Sequence, residues 1–556
     1  MPRWTEPTAL FILSLNKQQD AFQAFGIEAT KVQENGMFRK KTRATIVATL
    51  AALAVAGAPE ARAQEFNTNA TIIYFDAAGN ENLDPADAQA ASSFSQEAML
   101  AVYDPLIRMT DAGDPAPGLA ESWVASPDLM TLTLKLRQGV TFHDGTPFNA
   151  EIAKRNFDRF IGLGTRASGT VVEAVKGIAS IDIIGPYEIK LTLKAPNGQM
   201  LYHLGGVAGM MASAASLTEG AYAATFKPIG TGPYKVKSFS ANEKTVFTRN
   251  DSYWGGIAGR PAAFEHHYVP DGRARMNALR SGQANIALIE PRQIAEAKQA
   301  GFAVQLNEKN SVWTTYVNLS RTQNVGNLKV RQAMMYAVDR AALADALSYG
   351  SSRPTVQPFA STASAYDPAL EKIYTYDPAK AKALLAEGGF KDGVDITMLL
   401  LNIGEYRPIA EAYQAMLAEV GIRVKFDIVD ASMFPAFRRP PTRADILLAR
   451  WGGRPDPLQV FQELMGTGGS FNPVGVATPE IDTLIDKARQ MTPDNPERTK
   501  LLHQIGRLGV ENASNIGLMT RSNVYAYRPG CFTGLAPYLP MGDDRFNDVK
   551  IAAKCK

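Results

Sequence analysis

The sequence is poor in the residues from which catalytic and metal sites are usually built. Among 556 residues there are two cysteines and five histidines, and the cysteines are not in the Cys-x-x-Cys spacing of a redox site. Neither Gly-x-Ser-x-Gly nor His-Glu-x-x-His occurs. The only adjacent histidines are His266 and His267, and adjacent residues of a strand point to opposite faces, which makes them a poor pair of metal ligands. We therefore expect a protein that is not an enzyme and that holds neither a cofactor nor a metal ion.

Most of the chain also lacks an excess of charge of one sign. The formal charge of +3 comes from residues 1–63, which have eight Lys/Arg and five Asp/Glu, and the remaining residues have fifty of each. A chain without a basic excess has no strong electrostatic attraction to nucleic acid or to an anionic membrane surface. We expect neither as a partner.

No apolar run is long enough to cross a bilayer. The longest candidate, Ala44–Ala58, has fifteen residues, whereas a spanning helix needs roughly 20. It follows the basic segment Met37–Arg43 and precedes the small residues Ala61–Ala63. This order predicts a secretory signal peptide at residues 37–63, with cleavage near Ala63.

Residues 1–36 have the pattern of neither a signal peptide nor a domain, and we interpret them as a non-native N-terminal extension with translation starting at Met37. No cysteine lies near the predicted cleavage position, so the sequence predicts no lipid anchor. Export without an anchor predicts a location in the periplasm.

Both cysteines, Cys531 and Cys555, lie near the C-terminus. In an oxidising compartment an even pair indicates a disulfide. A loop of this size closed by a disulfide would add about 3 kcal/mol of stability in the chain-entropy model. The alternative is two free thiols.

Two glycines begin the central stretch Gly230–Phe239. Gly-Thr-Gly-Pro indicates a tight turn made from small residues that tolerate unusual φ angles. Tyr234, Val236 and Phe239 then predict a half-buried strand, and a second strand at Thr245–Arg249 completes a hairpin. The stretch is not a phosphate loop, because it lacks a third glycine and a Gly-Lys-Ser/Thr ending.

Several motifs of the chain match one protein family. In order, they are Leu83–Pro85, Val102–Ile107, Leu119–Trp123, Val140–Phe148, Gly230–Tyr234 and Asn250–Gly256. Together they resemble the family 5 extracellular solute-binding proteins, which feed peptide, nickel and glutathione-type ABC importers. The resemblance extends over nearly all of the chain after Gln64.

The resemblance implies a two-lobed α/β fold, the type II periplasmic-binding-protein fold in its three-subdomain variant with an extra β-rich subdomain. The predicted segments are 64–109, 225–312 and 516–556 for the main part of lobe I, 110–224 for its β-rich subdomain, and 313–515 for lobe II. The implied function is capture of a small peptide or peptide-like solute by hinge closure, and delivery to an ABC permease in the inner membrane. We expect a monomer.

The second lobe also has a pattern that can be read without the resemblance. Strand Ile396–Leu401, helix Ile409–Val420 and strand Ile422–Val429 predict a βαβ unit with parallel strands. Asp445–Ala449 predicts another buried strand, after which Trp451–Pro457 leaves as a loop. Loops at the carboxyl ends of strands are where open α/β sheets bind ligands.

This loop supplies the main candidate ligand residues. Trp451 offers a flat apolar wall, Arg454 a planar fork for a carboxylate, and Asp456 a partner for an amine. In peptide binders of the family an aspartate in this loop neutralises the α-amino group, whereas the matching position here carries Arg454. That departure favours a ligand with an additional carboxylate, such as a γ-glutamyl peptide, an opine-like conjugate or an acidic dipeptide. Further predicted wall residues are Ser92, Ser93, Trp313 and Tyr316.

Other interpretations stay open. Arg454 and Trp451 are also compatible with a surface arginine in a turn beside a core tryptophan. A secreted hydrolase or metalloprotein would need a nucleophile and base or clustered ligands, which the sequence does not show. The same scaffold could also serve as a periplasmic chaperone or as the input of a chemoreceptor, which the sequence does not distinguish from transport.

Overall fold

The computed structural model describes residues 66–555, apart from residues 78, 80–81, 88–92, 111–112, 168, 219, 223–224, 320, 403–405, 431–443, 455, 470–471, 473–478 and 539–542. The predicted extension and signal peptide at residues 1–63 lie outside these residues. Within the described part of the chain, no helix has both the length and the apolar composition that a membrane span requires.

The strands and helices alternate along much of the chain. The strands are β1 (Thr71–Asp76), β2 (Ile107–Met109), β3 (Pro115–Pro117), β4 (Ala120–Ala125), β5 (Thr131–Leu136), β6 (Ile178–Gly185), β7 (Glu188–Leu193), β8 (Tyr234–Ser240), β9 (Lys244–Arg249), β10 (Ala263–Tyr268), β11 (Ile286–Ile289), β12 (Ala303–Val317), β13 (Val394–Leu401), β14 (Ile422–Val429), β15 (Ile446–Gly452), β16 (Asn515–Tyr527), β17 (Phe532–Thr533), β18 (Ala536–Tyr538), β19 (Asp543–Arg545) and β20 (Lys550–Ile551). The helices are α1 (Ser93–Val102), α2 (Ala150–Leu163), α3 (Gly169–Lys176), α4 (Met200–Gly205), α5 (Gly272–Ser281), α6 (Ile294–Gln299), α7 (Gln323–Gly326), α8 (Leu328–Tyr336), α9 (Arg340–Ser348), α10 (Pro378–Glu387), α11 (Tyr406–Glu419), α12 (Pro457–Met465), α13 (Pro479–Arg489) and α14 (Pro496–Glu511).

One large sheet runs through the molecule, in the strand order β14-β13-β15-β12-β16-β11-β1-β10-β9-β8. Its central strands β12 and β16 have 15 and 13 residues and pair antiparallel from Ala303↔Tyr527 to Tyr316↔Asn515. The last part of β12 also pairs with β15. These two long strands therefore connect the two halves of the sheet.

Two large hydrophobic cores pack against this sheet. The first contains buried residues between Ala70 and Ile286 and between Tyr525 and Ile551, which we call the first lobe. The second contains buried residues between Val312 and Met519, which we call the second lobe. Because the first core is continuous across the boundaries predicted at residues 110 and 224, the extent of the β-rich subdomain stays a prediction.

A separate four-stranded antiparallel sheet, in the order β4-β5-β7-β6, lies in the first lobe. Helix α2 begins at Asn149, whose side chain accepts a hydrogen bond from the Ile152 backbone N–H, as expected of an N-cap. Ala153, Phe157 and Phe160 recur at helical spacing on its buried face. These residues pack α2 against the first core.

The hairpin predicted after the central turn is confirmed, since β8 pairs antiparallel with β9. The glycines of the turn have a different role from the one predicted. A Cβ at Gly230 would lie 2.1 Å from the Val102 carbonyl oxygen, and one at Gly232 would lie 2.6 Å from that of Ala101. Both positions need glycine because the backbone approaches the end of α1 closely.

His143 holds the same turn. Its Nε2 lies 3.0 Å from the carbonyl oxygen of Gly232, and its Nδ1 accepts a hydrogen bond from the Gly230 N–H. Burial lowers the pKa of His143 to about 4, so the ring is neutral at neutral pH. A neutral ring has one donor and one acceptor, which are the roles that this turn uses.

Three of the family-like motifs meet at one buried carboxylate, Asp104. Thr231 of the central turn donates to it at 3.1 Å, Tyr253 at 2.9 Å and the Trp254 indole at 2.7 Å. Arg108 forms an ion pair with it at 2.6 Å. These motif residues therefore support one another inside the first lobe.

The predicted βαβ unit and disulfide are both confirmed. Strands β13 and β14 are parallel neighbours joined by α11. Cys531 and Cys555 are disulfide-bonded, and the Cys555 carbonyl also accepts a hydrogen bond from the Asn67 amide. The disulfide therefore holds the C-terminal segment beside the first described residues.

Candidate functional site

Trp451 does not lie in a loop, as the sequence predicted. It belongs to β15, where it pairs with Val312 of β12, and its side chain is buried. Its carbonyl oxygen accepts a hydrogen bond from the Ser311 hydroxyl at 2.7 Å. The pairing with β12 extends the strand by three residues beyond Ala449, which places the ring in the second core.

The guanidinium of Arg454 already holds a carboxylate. Its Nε and Nη2 donate to the two oxygens of Glu463 at 2.8 and 2.6 Å. Its Cζ also lies 4.7 Å from the ring centroid of Trp451. Arg454 therefore has the bidentate geometry that the sequence suggested, but its partner in this structure is a residue of the same lobe.

Asp456 has a structural role that the sequence analysis did not foresee. It is the N-cap of α12, accepting from the Leu458 N–H, and it forms a two-oxygen ion pair with Arg498 at 2.8 and 2.7 Å. Both side chains are essentially inaccessible to solvent, at 0% and 2% exposure. In this structure Asp456 neutralises a buried arginine, and its contact with a ligand amine stays a prediction.

Two of the remaining predicted wall residues, Trp313 and Tyr316, do not lie on an exposed surface. Trp313 and Tyr316 lie on β12 and are buried in the second core, where Trp313 packs edge-on against Tyr406 at 4.9 Å. Ser92 lies outside the described residues, and Ser93 is the first residue of α1, with its side chain not described. Their contact with a ligand stays a prediction.

A basic cavity in the first lobe was not anticipated. It has a volume of about 550 Å³ and lies between α2 and the segment 217–222. Residues lining it include Arg155, Arg159, Arg166, Leu163, Leu217 and Tyr222. A cavity of this size lies within the range usual for small-molecule sites.

The three arginines give this cavity its positive charge. Arg159 forms a two-oxygen ion pair with Asp84, at 3.0 and 2.6 Å. Arg155 and Arg166 are exposed and have no ion pair within the described part of the chain. Asp158, which also lines the cavity, is paired with Lys154 at 2.7 Å. Two guanidinium groups are thus available to a carboxylate.

Tyr222 adds a neutral hydroxyl to the cavity wall. Its hydroxyl donates to the backbone carbonyl of Arg166. The pKa of Tyr222 is raised above its usual value, mainly by burial and to a smaller extent by the negative charge of Asp87. The phenol therefore stays protonated at neutral pH.

The cavity adjoins one of the family-like motifs, because Arg159 of its lining is paired with Asp84. Asp84, the partner of Arg159, follows β1 in the motif Leu83–Pro85 and is fully buried. Arg155 and Arg159 are four residues apart and so lie on one face of α2. The spacing of these two arginines can be seen in the sequence. The packing of residues 217–222 beside α2, which completes the cavity, depends on long-range contacts.

The two lobes contact each other near α4. The Gly198 N–H donates to the Arg489 carbonyl at 3.0 Å, and a Cβ at Gly198 would lie 2.0 Å from the carbonyl oxygen of Met491. Close by, the Arg498 guanidinium lies 5.6 Å from the ring centroid of Tyr202. The first lobe thus packs against the ends of α13 and α14 in the second.

Comparison with known proteins adds two kinds of similarity. The model of the bacterial extracellular solute-binding proteins, family 5, middle region, matches residues 114–472. The glutathione-binding protein GsiB of Escherichia coli strain K12 is 30% identical over 354 residues, which are 63% of this chain and 67% of GsiB.

Solved structures agree in fold. NikA from Brucella suis, in complex with Fe(III)-EDTA, matches 87% of this chain and 100% of its own, with a TM-score of 0.76 and 25% identity. The periplasmic binding protein DppA from Helicobacter pylori, in complex with the peptide STSA, matches 88% and 99%, with a TM-score of 0.71 and 23% identity. The predicted two-lobed periplasmic-binding-protein fold is confirmed.

Proposed function

The chain belongs to family 5 of the bacterial extracellular solute-binding proteins, and we propose that it captures a small, carboxylate-bearing peptide-like solute for an ABC importer. The observation that carries the choice of solute is the basic cavity, where Arg155 and Arg166 have no ion pair with any residue that the structure describes. A bidentate arginine–carboxylate contact is stronger and more directional than a neutral hydrogen bond. GsiB, a glutathione-binding protein by name, supports a solute of this class.

Within this proposal the first lobe supplies the main carboxylate contacts. Asp84 holds Arg159 in place as part of the cavity wall, while the guanidinium groups of Arg155 and Arg166 bind the carboxylate of the solute. Arg454 stays a candidate from the second lobe, but it would have to exchange Glu463 for the solute. A charged group that is already paired gains less from a ligand than one that is unpaired.

Transport requires that the solute change the conformation of the protein. The long strands β12 and β16 connect the lobes and are the natural place for a hinge. The solute must bind the closed form more tightly than the open form, because a ligand without that preference shifts no equilibrium. The closed form would then dock on the transmembrane subunits of an inner-membrane permease.

The proposed location and state follow from the sequence. The signal-peptide pattern at residues 37–63 supports export to the periplasm, with the protein acting as a monomer. We propose no catalytic role, so the bound solute should be recovered chemically unchanged.

Isothermal titration calorimetry with glutathione, an acidic dipeptide and their carboxyl-esterified forms tests the proposal. We expect the acids to bind and the esters to bind roughly tenfold or more weakly, since hydrogen bonds to charged groups contribute about 1.5–3 kcal/mol. The double variant Arg155→Ala/Arg166→Ala should lose a similar factor.

Lys237→Ala is the control, because it removes a positive charge from an exposed position of β8 in the first lobe, outside the cavity lining. Equal binding of acids and esters, or an equal loss in the control, would refute the assignment of the cavity. Hydrolysis of any tested solute would contradict a purely binding function.

A further inference from the structure

His143 connects two parts of the first lobe that are 87 residues apart in the sequence. It lies in the loop between β5 and α2, and it contacts Gly230 and Gly232 of the central turn. Its backbone N–H donates to the Gly230 carbonyl oxygen at 2.9 Å. In its ring, Nδ1 accepts from the Gly230 N–H at 3.4 Å, and Nε2 donates to the Gly232 carbonyl oxygen at 3.0 Å. Two of these three hydrogen bonds therefore depend on the protonation state of the imidazole.

The central turn is attached on its other side as well. The Gly232 N–H donates to the Val102 carbonyl oxygen at 2.8 Å, at the end of α1. The Thr231 hydroxyl donates to the Asp104 carboxylate at 3.1 Å. The turn leads directly into β8, which is an edge strand of the large sheet. Loss of the imidazole contacts would therefore weaken the point at which α1 and β8 meet.

Only a neutral imidazole makes both ring contacts. With the proton on Nε2, the ring donates to one carbonyl oxygen, and the lone pair of Nδ1 accepts from one N–H. A second proton would lie on Nδ1 and point at the Gly230 N–H, so that two donors would face each other. The geometry of the turn therefore opposes protonation of His143 for as long as the turn stays in place.

Three charged groups act on the ring, from the three segments that meet there. Lys235 of β8 donates to the carbonyl oxygen of His143 at 3.2 Å, and its positive charge disfavours a second positive charge on the ring. The carboxylates of Asp104, which follows α1, and of Asp144, in the same loop, favour that charge. Burial of the ring is the largest influence, and it keeps the pKa of His143 at about 4.

We propose that the contact between His143 and the central turn is acid-sensitive: it holds the turn against the first lobe at neutral pH and releases it in acid. Release brings the ring into water, where a histidine takes up a proton near pH 6.5. That proton stabilises the released turn, because the attached turn has no place for it. None of the residues that make the contact lines the basic cavity, so the effect does not depend on the bound solute.

The direction of the effect follows from the two pKa values of the ring. Above about pH 6.5 the ring is neutral in the attached and in the released state, and the contact has its full strength. Between about pH 6.5 and pH 4 the released state binds a proton that the attached state does not bind, so stability falls as the pH falls. From about pH 7 to pH 5 this should raise the equilibrium constant for release roughly tenfold or more.

Chemical denaturation of the protein at about pH 7 and pH 5 tests the proposal. His143→Gln keeps a donor and an acceptor on the side chain but does not titrate. Between the two pH values, the unfolding equilibrium constant should rise roughly tenfold or more further in the wild type than in this variant. Hydrogen exchange, corrected for the intrinsic rate at each pH, should show lower protection of the Gly230, Thr231 and Gly232 amides in the wild type at the lower pH.

His503→Gln is the matched control. His503 Nε2 contacts the Ser364 carbonyl oxygen at 3.1 Å, a donor role that a protonated ring keeps. The pH dependence of this variant should equal that of the wild type. An equal pH dependence in the wild type and in His143→Gln, or an equal reduction in His503→Gln, overturns the proposal.

If His143→Gln does not fold, hydrogen exchange in the wild type decides. Protection of the turn amides that falls further in acid than protection of the paired β12 and β16 amides supports the proposal. An equal change at both places overturns it.

Discussion

Arginines occur in both places where a ligand was sought, but they are in different electrostatic states. In the second lobe Arg454 is paired with Glu463, and the buried Arg498 is paired with Asp456. In the first lobe Arg155 and Arg166 are exposed without an ion pair in the described residues. An arginine in a promising loop thus says little about binding until its own partner is known.

The comparison assigns opposite roles to similar residues. The second-lobe pairs hold the lobe together, whereas we propose that Arg155 and Arg166 of the first lobe receive a solute. If that division is correct, substitutions in the second lobe should change stability and substitutions in the first should change affinity. The predictions below test this division, starting with the largest effect.

Asp456→Ala should have the largest effect on stability. It removes the cap of α12 and leaves Arg498 buried without its partner, and breaking a buried ion pair in this way costs about 3–5 kcal/mol. Chemical denaturation should show this loss in the free energy of unfolding. Solute affinity, measured below the denaturation midpoint, should stay close to that of the wild type.

The control for that prediction is Glu497→Ala. Glu497 is paired with Lys500 on the surface of α14, where an ion pair contributes only about 0–1 kcal/mol. The opposite result, an Asp456→Ala protein of normal stability that no longer binds solute, would restore Asp456 as the ligand residue expected from the sequence.

How far the sequence predicts the molecule depends on the range of the interactions. Helix α5 could be predicted because its signals are local: Asp271 caps its start, and Gly282 ends it with a left-handed φ of 79°. The place of Trp451 could not, because the Gly-Gly that follows it suggested a loop. Pairing with β12, more than a hundred residues earlier, keeps Trp451 in a strand.

The candidate site follows the same rule. The residue types around residues 451–456 suggested charged contacts with a ligand, but a sequence does not show that Arg454 is paired with Glu463 and Asp456 with Arg498. The basic cavity needs α2 and residues 217–222 to meet, which only the packed first lobe brings about. Local sequence patterns therefore predict helices and strands, whereas long-range packing determines which charged side chains have an ion-pair partner.

Gly198→Ala should have an intermediate effect, because it changes the contact between the two regions. The added methyl group would lie 2.0 Å from the Met491 carbonyl oxygen. Either the two lobes separate at this point or the backbone around it becomes strained. If solute binding requires this contact, affinity should fall roughly tenfold, since misfitting groups at such contacts cost about 1–3 kcal/mol. Small-angle scattering with saturating solute should show a larger radius of gyration than the wild type.

Gly185→Ala is the control for this change, because a Cβ at Gly185 would meet no heavy atom within 4 Å. It should bind solute as the wild type does. Unchanged affinity and dimensions in Gly198→Ala would mean that the contact near α4 plays no part in closure.

Arg454→Ala should have the smallest effect. Arg454 is about 29% exposed, and its pair with Glu463 is only partly buried, so its loss should lower the free energy of unfolding by about 1 kcal/mol or less. Affinity for an acidic solute should change by less than the roughly tenfold factor expected for the first-lobe arginines. Glu463→Gln makes the measurement decisive, because it weakens the hold on Arg454 while keeping the shape of the side chain. If a solute binds more tightly to Glu463→Gln and more weakly to Arg454→Ala, it competes with Glu463 for the guanidinium of Arg454. Arg454 would then be a ligand residue, and the proposed division between a structural second lobe and a solute-binding first lobe would not hold for it.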